Sequence, residues 1–109
     1  MYRVEIQAAA ARELYSGLIR IHILYHACRG TVFGLGMIEE LSRHGYKLSP
    51  GTLYPMLHTL EKKGLLQSSK TRSGSRIRRL YRATEAGQRT LEVAREKVKE
   101  LLGELLESA

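Results

Sequence analysis

The sequence predicts a mainly α-helical domain with one small β-hairpin, closed by a long helix at the C-terminal end. Three observations predict it. Apolar residues recur at helical spacing in four separate segments of the 109-residue chain. Between the third and fourth segments the period changes to two around a Ser73-Gly74-Ser75 tip, the pattern of a hairpin. The last segment repeats Leu91, Ala94, Val98, Leu101 and Leu105 at alternating steps of three and four, a heptad seam. A chain of this length has room for one domain with a modest core, and such chains commonly share a core with a second copy.

The first helix is expected over residues 4–28. Ala8, Ala9, Ala10 and Ala11 favour helix strongly, and Leu14, Leu18, Ile21 and Tyr25 follow at steps of four, three and four. Ile19, Ile23 and Leu24 widen its apolar surface beyond one stripe, so it should be buried on several sides, by its own domain and by a partner. Gly17 is a candidate bend, and Gly30 a candidate left-handed cap. A second helix is expected over residues 34–44, with Leu35, Ile38 and Leu41 or Ser42 facing inward and His44-Gly45 as its stop. Ser49-Pro50 opens a third helix, since serine caps well and proline at the first helical position loses no hydrogen bond. Leu53, Met56, Leu57 and Leu60 form its apolar face, and Lys62-Lys63-Gly64 ends it. Residues 65–72 and 76–83 form the hairpin. On its second strand Ile77, Arg79, Tyr81 and Ala83 alternate with Arg76, Arg78, Leu80 and Arg82; Arg78 and Leu80 are expected to divide between core edge and solvent. Thr84 caps the final helix, expected over residues 85–107, where Leu102 and Leu106 broaden the seam.

Helix, helix, turn, helix, basic hairpin and long helix is the order of a winged helix-turn-helix followed by a dimerisation helix. The winged unit occupies residues 1–84 and the dimerisation helix residues 85–109, within one compact body. Leu14, Leu18, Leu91, Val98, Leu101 and Leu105 are the expected dimer contacts.

Charge supplies the first functional indication. The formal net charge is +7, but residues 62–84 carry eight lysines and arginines and no acid, while the flanking segments nearly balance. Solubility alone is served as well by mixed signs, so this concentration points to a local polyanion, double-stranded DNA. Lys70, Arg72 and Arg76 surround the hairpin tip, where they suit phosphate contacts along a backbone or in a minor groove. Arg78 or Arg79 is expected to be diverted into a pair with a glutamate, the other remaining with the DNA-facing set.

The third helix supplies the second. At about 100° per residue, Leu57 and Leu60 stay near Leu53 on the inner face. Gly51, Tyr54, Pro55, His58 and Lys62 then point outward. Ser49, Gly51, Thr52 and Pro55 keep the N-terminal end small, while Thr52, Tyr54 and His58 offer hydrogen-bonding tips. A helix entering a major groove by its N-terminal half needs this combination. The alternative is a winged-helix module for protein contacts without sequence-specific DNA binding. That reading calls for apolar residues on the outer face, where this chain has none beyond Pro55 and the ring of Tyr54.

Other classes find little support. No uncharged apolar run is long enough to span a membrane, and residues 1–13 mix Arg3, Glu5, Arg12 and Glu13 into a stretch unlike a signal peptide, so a cytoplasmic protein is expected. The single cysteine, Cys28, forms no internal disulfide and reads as a small buried residue. His22 and His26 stand four apart on one helical face, a spacing used for metals, but without a third ligand in register they read as polar contacts. No nucleophile–base pair, phosphate loop or carboxylate pair is present, so no enzyme, cofactor or metal is expected.

The run LSPGTLYPMLHTLEKKGLL at residues 48–66, the basic hairpin, YRATEAG at residues 81–87 and the leucine-rich last helix together resemble the PadR family of bacterial transcriptional regulators. The resemblance spans about residues 18–106 and is closest to the short-tailed branch with one C-terminal helix. It implies a homodimer that represses transcription at a palindromic operator and is often released by a small aromatic or drug-like effector. It also implies that Ser49, Gly51, Thr52 and Tyr54 occupy recognition-helix positions. One departure is Phe33-Gly34-Leu35-Gly36, where the family often has an aromatic-Gly-aromatic-acidic opening to the second helix. An effector pocket in this chain would draw on tyrosine, with Tyr2, Tyr15 and Tyr25 as candidates, although core or interface packing accounts for them equally.

Overall fold

The computed structural model describes residues 8–108. Its elements run α1 (Ala8–Arg29), α2 (Gly34–Arg43), α3 (Pro50–Lys62), β1 (Leu66–Ser73), β2 (Arg76–Ala83) and α4 (Glu85–Glu107). The expected helix start at residue 4 and Tyr2 lie outside the described residues. This is a winged helix-turn-helix, mainly helical, with one antiparallel two-stranded hairpin.

Helix α1 uses its wide apolar surface in two directions. Ile19, Ile23, Leu24 and Ala27 are buried in the domain, whereas Leu14, Leu18 and Tyr25 point away from it. Gly17 does not split the helix, which runs unbroken from Ala8 to Arg29. Gly30 does not take a left-handed conformation either. The chain leaves α1 extended instead, so that Val32 can pair with Tyr81 of β2 through two backbone hydrogen bonds of 2.8 Å.

Helix α2 buries Gly34, Met37 and Leu41, with Ile38 half-buried. Leu35, expected inside, is 51% exposed. The inner stripe is shifted by one residue because Gly34 sits beneath the ring of Tyr54 from α3. A Cβ on Gly34 would lie 2.6 Å from Tyr54 Cε1 and closer still to the ring's hydroxyl end. Helices α2 and α3 therefore approach through an absent side chain. Gly45 and Gly64, both at positive φ, end α2 and α3 in the same way. After each helix the residue beyond the glycine donates to a carbonyl five positions back, Tyr46 to Leu41 and Leu65 to Leu60.

Four residues anchor α3: Leu53, Met56, Leu57 and Leu60, all buried. The hairpin is held only at its base. Leu66 and Tyr81 are buried, Leu80 and Ala83 are half-buried, and every residue from Ser69 to Arg79 is exposed. Arg78 and Leu80 thus divide between solvent and core edge as expected, but the core itself is reached from the other face of β2, by Tyr81. Strand pairing puts Ser73 opposite Arg76 across a two-residue Gly74–Ser75 turn, so β1 runs one residue beyond the expected end. Thr84 caps α4 as expected, accepting from the Gly87 N–H at 3.0 Å and donating to the Gly64 carbonyl at 2.6 Å.

Helix α4 joins the core through one large side chain. Leu91 is 8% exposed and packs within its own subunit, which corrects its assignment to a dimer contact. The same heptad position that begins the seam is consumed by the domain's own core. Beyond it Ala94 is half-buried, and everything from Arg95 to Ser108 is exposed, including Val98, Leu101, Leu102, Leu105 and Leu106.

Candidate nucleic-acid interface

The outer face of α3 is built by the same periodicity that buries the inner one. Ser49, Gly51, Pro55, His58 and Lys62 are exposed, Thr52 is half-buried and Tyr54 is 37% exposed. Ser49 occupies the cap position in an extended conformation, but its hydroxyl makes no capping bond. It lies 3.3 Å from Thr52 Oγ1 instead, so two hydroxyls pair at the exposed helix start. The helix is begun by the Ser49 carbonyl, which accepts from the Thr52 and Leu53 N–H groups. Pro55 stands inside the helix and lacks an N–H, so the Gly51 carbonyl loses its usual i+4 donor on the exposed side. One turn on, the Thr59 hydroxyl donates to the Pro55 carbonyl at 2.9 Å.

Tyr54 has a double position. Its ring closes over Gly34 while part of its surface stays open, so it is a helix-packing residue at the rim of the exposed face.

The strand register sorts the hairpin cations. Residues directly opposite in an antiparallel pair share a face. Lys70 is paired with Arg79, and Arg72 with Ile77; these lie on the face that carries Leu66 and Tyr81 into the core. Arg76, Arg78 and Arg82 lie on the other face. The expected diversion into a glutamate contact falls to Arg79 and is indirect. Arg79 donates to Ser68 Oγ at 3.0 Å, and that hydroxyl donates to Glu61 Oε2 at 2.6 Å. The Ser68 N–H also donates to the same carboxylate oxygen, at 3.1 Å. Glu61 thus ties the end of α3 to the base of the hairpin. Arg78 is not free of the domain either, since its guanidinium lies 4.5 Å from the centre of the Phe33 ring. Among the described residues, no hairpin cation forms an ion pair with a carboxylate.

Sequence reasoning missed a polar cluster where α1 meets α2. Glu40 on α2 receives Arg43 at 2.7 Å and His44 at 3.2 Å, and stands 3.6 Å from His26 of α1. His22 stacks at 4.8 Å on His44 and meets Tyr46 edge-on at 5.6 Å. The i, i+4 spacing of His22 with His26 and of Glu40 with His44 is visible in the sequence, but only the crossing of α1 and α2 brings the pairs together. Burial, with repulsion from His44 and His26, holds the His22 imidazole below its usual 6.5 against the opposite pull of Glu40. Desolvation acts to raise the Glu40 carboxyl, yet the His44 hydrogen bond and the charges of His26 and Arg43 bring it below its ordinary value. Among the described residues no group of three or more His, Cys, Asp or Glu is arranged to hold a metal ion.

The cluster forms the polar wall of a cleft of about 620 Å³ between α1, α2 and α4, whose apolar lining includes Leu18, Ile21, Tyr25, Leu91 and Val98. Of the candidate effector tyrosines, Tyr25 lines this cleft, while Tyr15 packs edge-on against Tyr46 at 6.2 Å. Cys28 is half-buried, and burial together with the charge of Glu92 pushes its thiol up, away from reactivity. Among the described residues no helix is long and apolar enough to cross a membrane.

An exposed small-ended α3 beside a hairpin whose cations form no ion pair with a carboxylate among the described residues suits docking on duplex DNA. The family model of the PadR-like transcriptional regulators matches residues 23–93, from the middle of α1 through the first turns of α4. The chain belongs to the PadR-like family of transcriptional regulators. It is 50% identical over 95 residues to the transcriptional regulator Rv3488 of Mycobacterium tuberculosis, a match that covers 87% of this chain and 89% of that protein. Among solved structures it is similar to a PadR family regulator from Eggerthella lenta, with a TM-score of 0.77 and 31% identity over 94% of this chain and 93% of that one. A PadR-like regulator from Bacillus cereus superposes with a TM-score of 0.74 and 26% identity, covering 86% of this chain and 96% of that one. PadR-like transcriptional regulators are not enzymes.

Proposed function

We propose that this PadR-like regulator is a homodimeric repressor that binds a palindromic operator and is released by a small aromatic or drug-like molecule. The observation that carries the DNA-binding part is the exposure of Ser49, Gly51, Pro55 and His58, with Thr52 half-buried among them, beside hairpin cations that pair with no carboxylate among the described residues. In this reading Thr52 and His58 reach base edges, the open part of the Tyr54 ring borders them while its hydroxyl end packs over Gly34, and the Gly51 and Pro55 backbone approaches closely. Lys62, Lys70, Arg72, Arg76 and Arg78 serve phosphates. Supporting the dimer is the apolar surface that the domain leaves open: Leu14 is 70% exposed, and Leu18, Val98, Leu101 and Leu105 follow it along α1 and α4. Two subunits joined there present two copies of α3, which an operator accepts when its half-sites lie one turn apart, ~34 Å. The cleft beside Tyr25 supports an effector site next to that seam. A protein of this kind works in the cytoplasm, on the nucleoid.

The test uses the DNA immediately upstream of the protein's own gene, searched for an inverted repeat. A duplex carrying the repeat should shift with two subunits bound, and the protein should lower transcription from that promoter in a purified system. Val98→Asp with Leu101→Asp should sediment as a monomer and lose the shift. A double variant that stays dimeric removes the α4 seam from the proposal.

A further inference from the structure

Ile77 is an exposed aliphatic side chain in unusual company. It is 62% exposed near the hairpin tip, with Arg76 and Arg78 beside it in the strand and Arg72 directly across from it. Single exposed aliphatics are common and mean nothing by themselves. The position is what distinguishes this one. Ile77 ends the same hairpin face that begins in the core with Leu66 and Tyr81, at a point where the domain has no surface left to cover it. The surrounding cations exclude an ordinary apolar protein surface as its partner, because docking there would strip water from Arg72, Arg76 and Arg78 without replacing it. They favour a polyanion that also presents apolar walls.

The minor groove of duplex DNA is such a partner. Deoxyribose edges wall it, and a phosphate backbone runs along each side. The division of cations fits this geometry. Lys70 and Arg72 lie on one face of the two-stranded ribbon, and Arg76 and Arg78 on the other. A ribbon lying flat on one backbone would use one face. A ribbon entering a groove tip-first meets a backbone on each side and uses both.

We infer that Ile77 is an apolar minor-groove contact, seated between the sugar walls while cations on the two faces of the wing hold the flanking phosphates. The inference rests on the DNA-binding reading and adds to it a place where sequence is sensed through groove shape. Minor-groove readout separates A·T from G·C chiefly through the guanine 2-amino group and through groove width. Ile77 therefore favours flanks without that amino group, where the floor is open to a branched side chain.

The experiment uses a duplex selected by the wild-type protein from a random-sequence pool. The base pairs outside the half-sites are then made A·T, G·C or I·C. Inosine removes the 2-amino group and leaves the major-groove edge of guanine intact. Wild type should bind the A·T and I·C flanks more tightly than G·C. Ile77→Ala should lose about tenfold on those two flanks, the scale of uncovering one branched aliphatic side chain, and should lose its flank preference. Its salt dependence should stay that of wild type, because no cation has been removed. Thermal unfolding of Ile77→Ala should be unchanged, since the side chain touches no core. Equal affinity of Ile77→Ala and wild type, or indifference of wild type to the I·C exchange, overturns the inference while leaving DNA binding intact. Failure of wild type to select any duplex overturns the DNA-binding reading itself, and this inference with it.

Discussion

Helix α3 and the hairpin behind it belong to one surface but are held in opposite ways. Four buried side chains, a Schellman-type end and the Tyr54–Gly34 contact fix α3 in the domain. The hairpin has two buried side chains at its base, and from Ser69 to Arg79 it stands in solvent. Directional contacts with bases need a rigid support, because a small misplacement breaks a hydrogen bond. Charge contacts with phosphates tolerate motion, since Coulomb attraction falls off gradually. The domain commits its core to the element that must be placed accurately and leaves the cationic arm long and loosely tethered.

The largest effect that bears on this contrast should come from Leu57→Ala. Leu57 is fully buried under α3, and its truncation should cost about 2–5 kcal/mol, measured by denaturant unfolding. Specific DNA binding should fall with it, whereas an equally large truncation on the wing, Ile77→Ala, should leave stability unchanged. A stable Leu57→Ala variant would show that α3 is not held from below.

Replacing Lys70, Arg72 and Arg76 with alanine comes next. Stability should be untouched, and the slope of log affinity against log salt should flatten by about two to three per subunit, or about five for a dimer on its operator, at roughly 0.9 for each phosphate that is no longer neutralised. An unchanged slope would return the electrostatic work to Lys62 and the helix.

Acid should act on the α1–α2 cluster and spare the wing. His22 has its folded pKa below the ordinary 6.5, so folding resists its protonation. Its contribution is complete above 6.5 and is lost as pH falls from there through the lower folded value. Glu40, also lowered, contributes above its ordinary 4.5 and loses that contribution as pH falls further, with the same sign. Thermal midpoints should therefore decline below pH 6.5, and His22→Gln should flatten the first part of the decline. Lysine and arginine do not titrate in this range, so the share of the salt slope that disappears in the Lys70, Arg72 and Arg76 triple variant should be equal at the two ends.

The smallest effect should be Tyr81→Phe. The Tyr81 ring is buried at the hairpin base, while its hydroxyl has no hydrogen-bond partner among the described residues. Its phenol is pushed up by burial, with Glu61 and Tyr54 adding to the shift against Arg79. Removing an unsatisfied hydroxyl should be neutral or stabilising by up to about 1 kcal/mol, seen as an equal or higher melting temperature. A marked loss would mean that the hydroxyl is solvated at the joint between wing and helix.

Much of this is legible in the residues, for reasons that differ by element. Periodicity locates α3, α4 and the hairpin because one face of each must leave water, and a one-sided pattern is enough to say so. Charge counting locates the wing because an eight-cation stretch without an acid needs no structure to be seen. The Ser-Pro start and the Lys-Lys-Gly end of α3 are legible because caps are local chemistry. Less legible is the side on which an apolar residue finds its partner. Leu35 and Leu91 both read as one thing and prove another, since an inward stripe and a dimer seam look alike until a neighbouring helix takes one of them. Gly30 looks like a cap, yet it leads into an extended bridge to Tyr81, a partner distant in sequence.

By itself, then, the sequence determined the kinds and order of the elements, the position of the cationic arm and the outward face of α3, because these follow from periodicity, capping and charge along the chain. Only the tertiary structure decided how each element's surplus is used. It placed Tyr54 over Gly34, joined Arg79 through Ser68 to Glu61, gathered His22, His26 and His44 around Glu40, and split the wing cations between two faces. Each of these joins residues on different elements. Their distances are set by helix crossing and strand register, which no local pattern records.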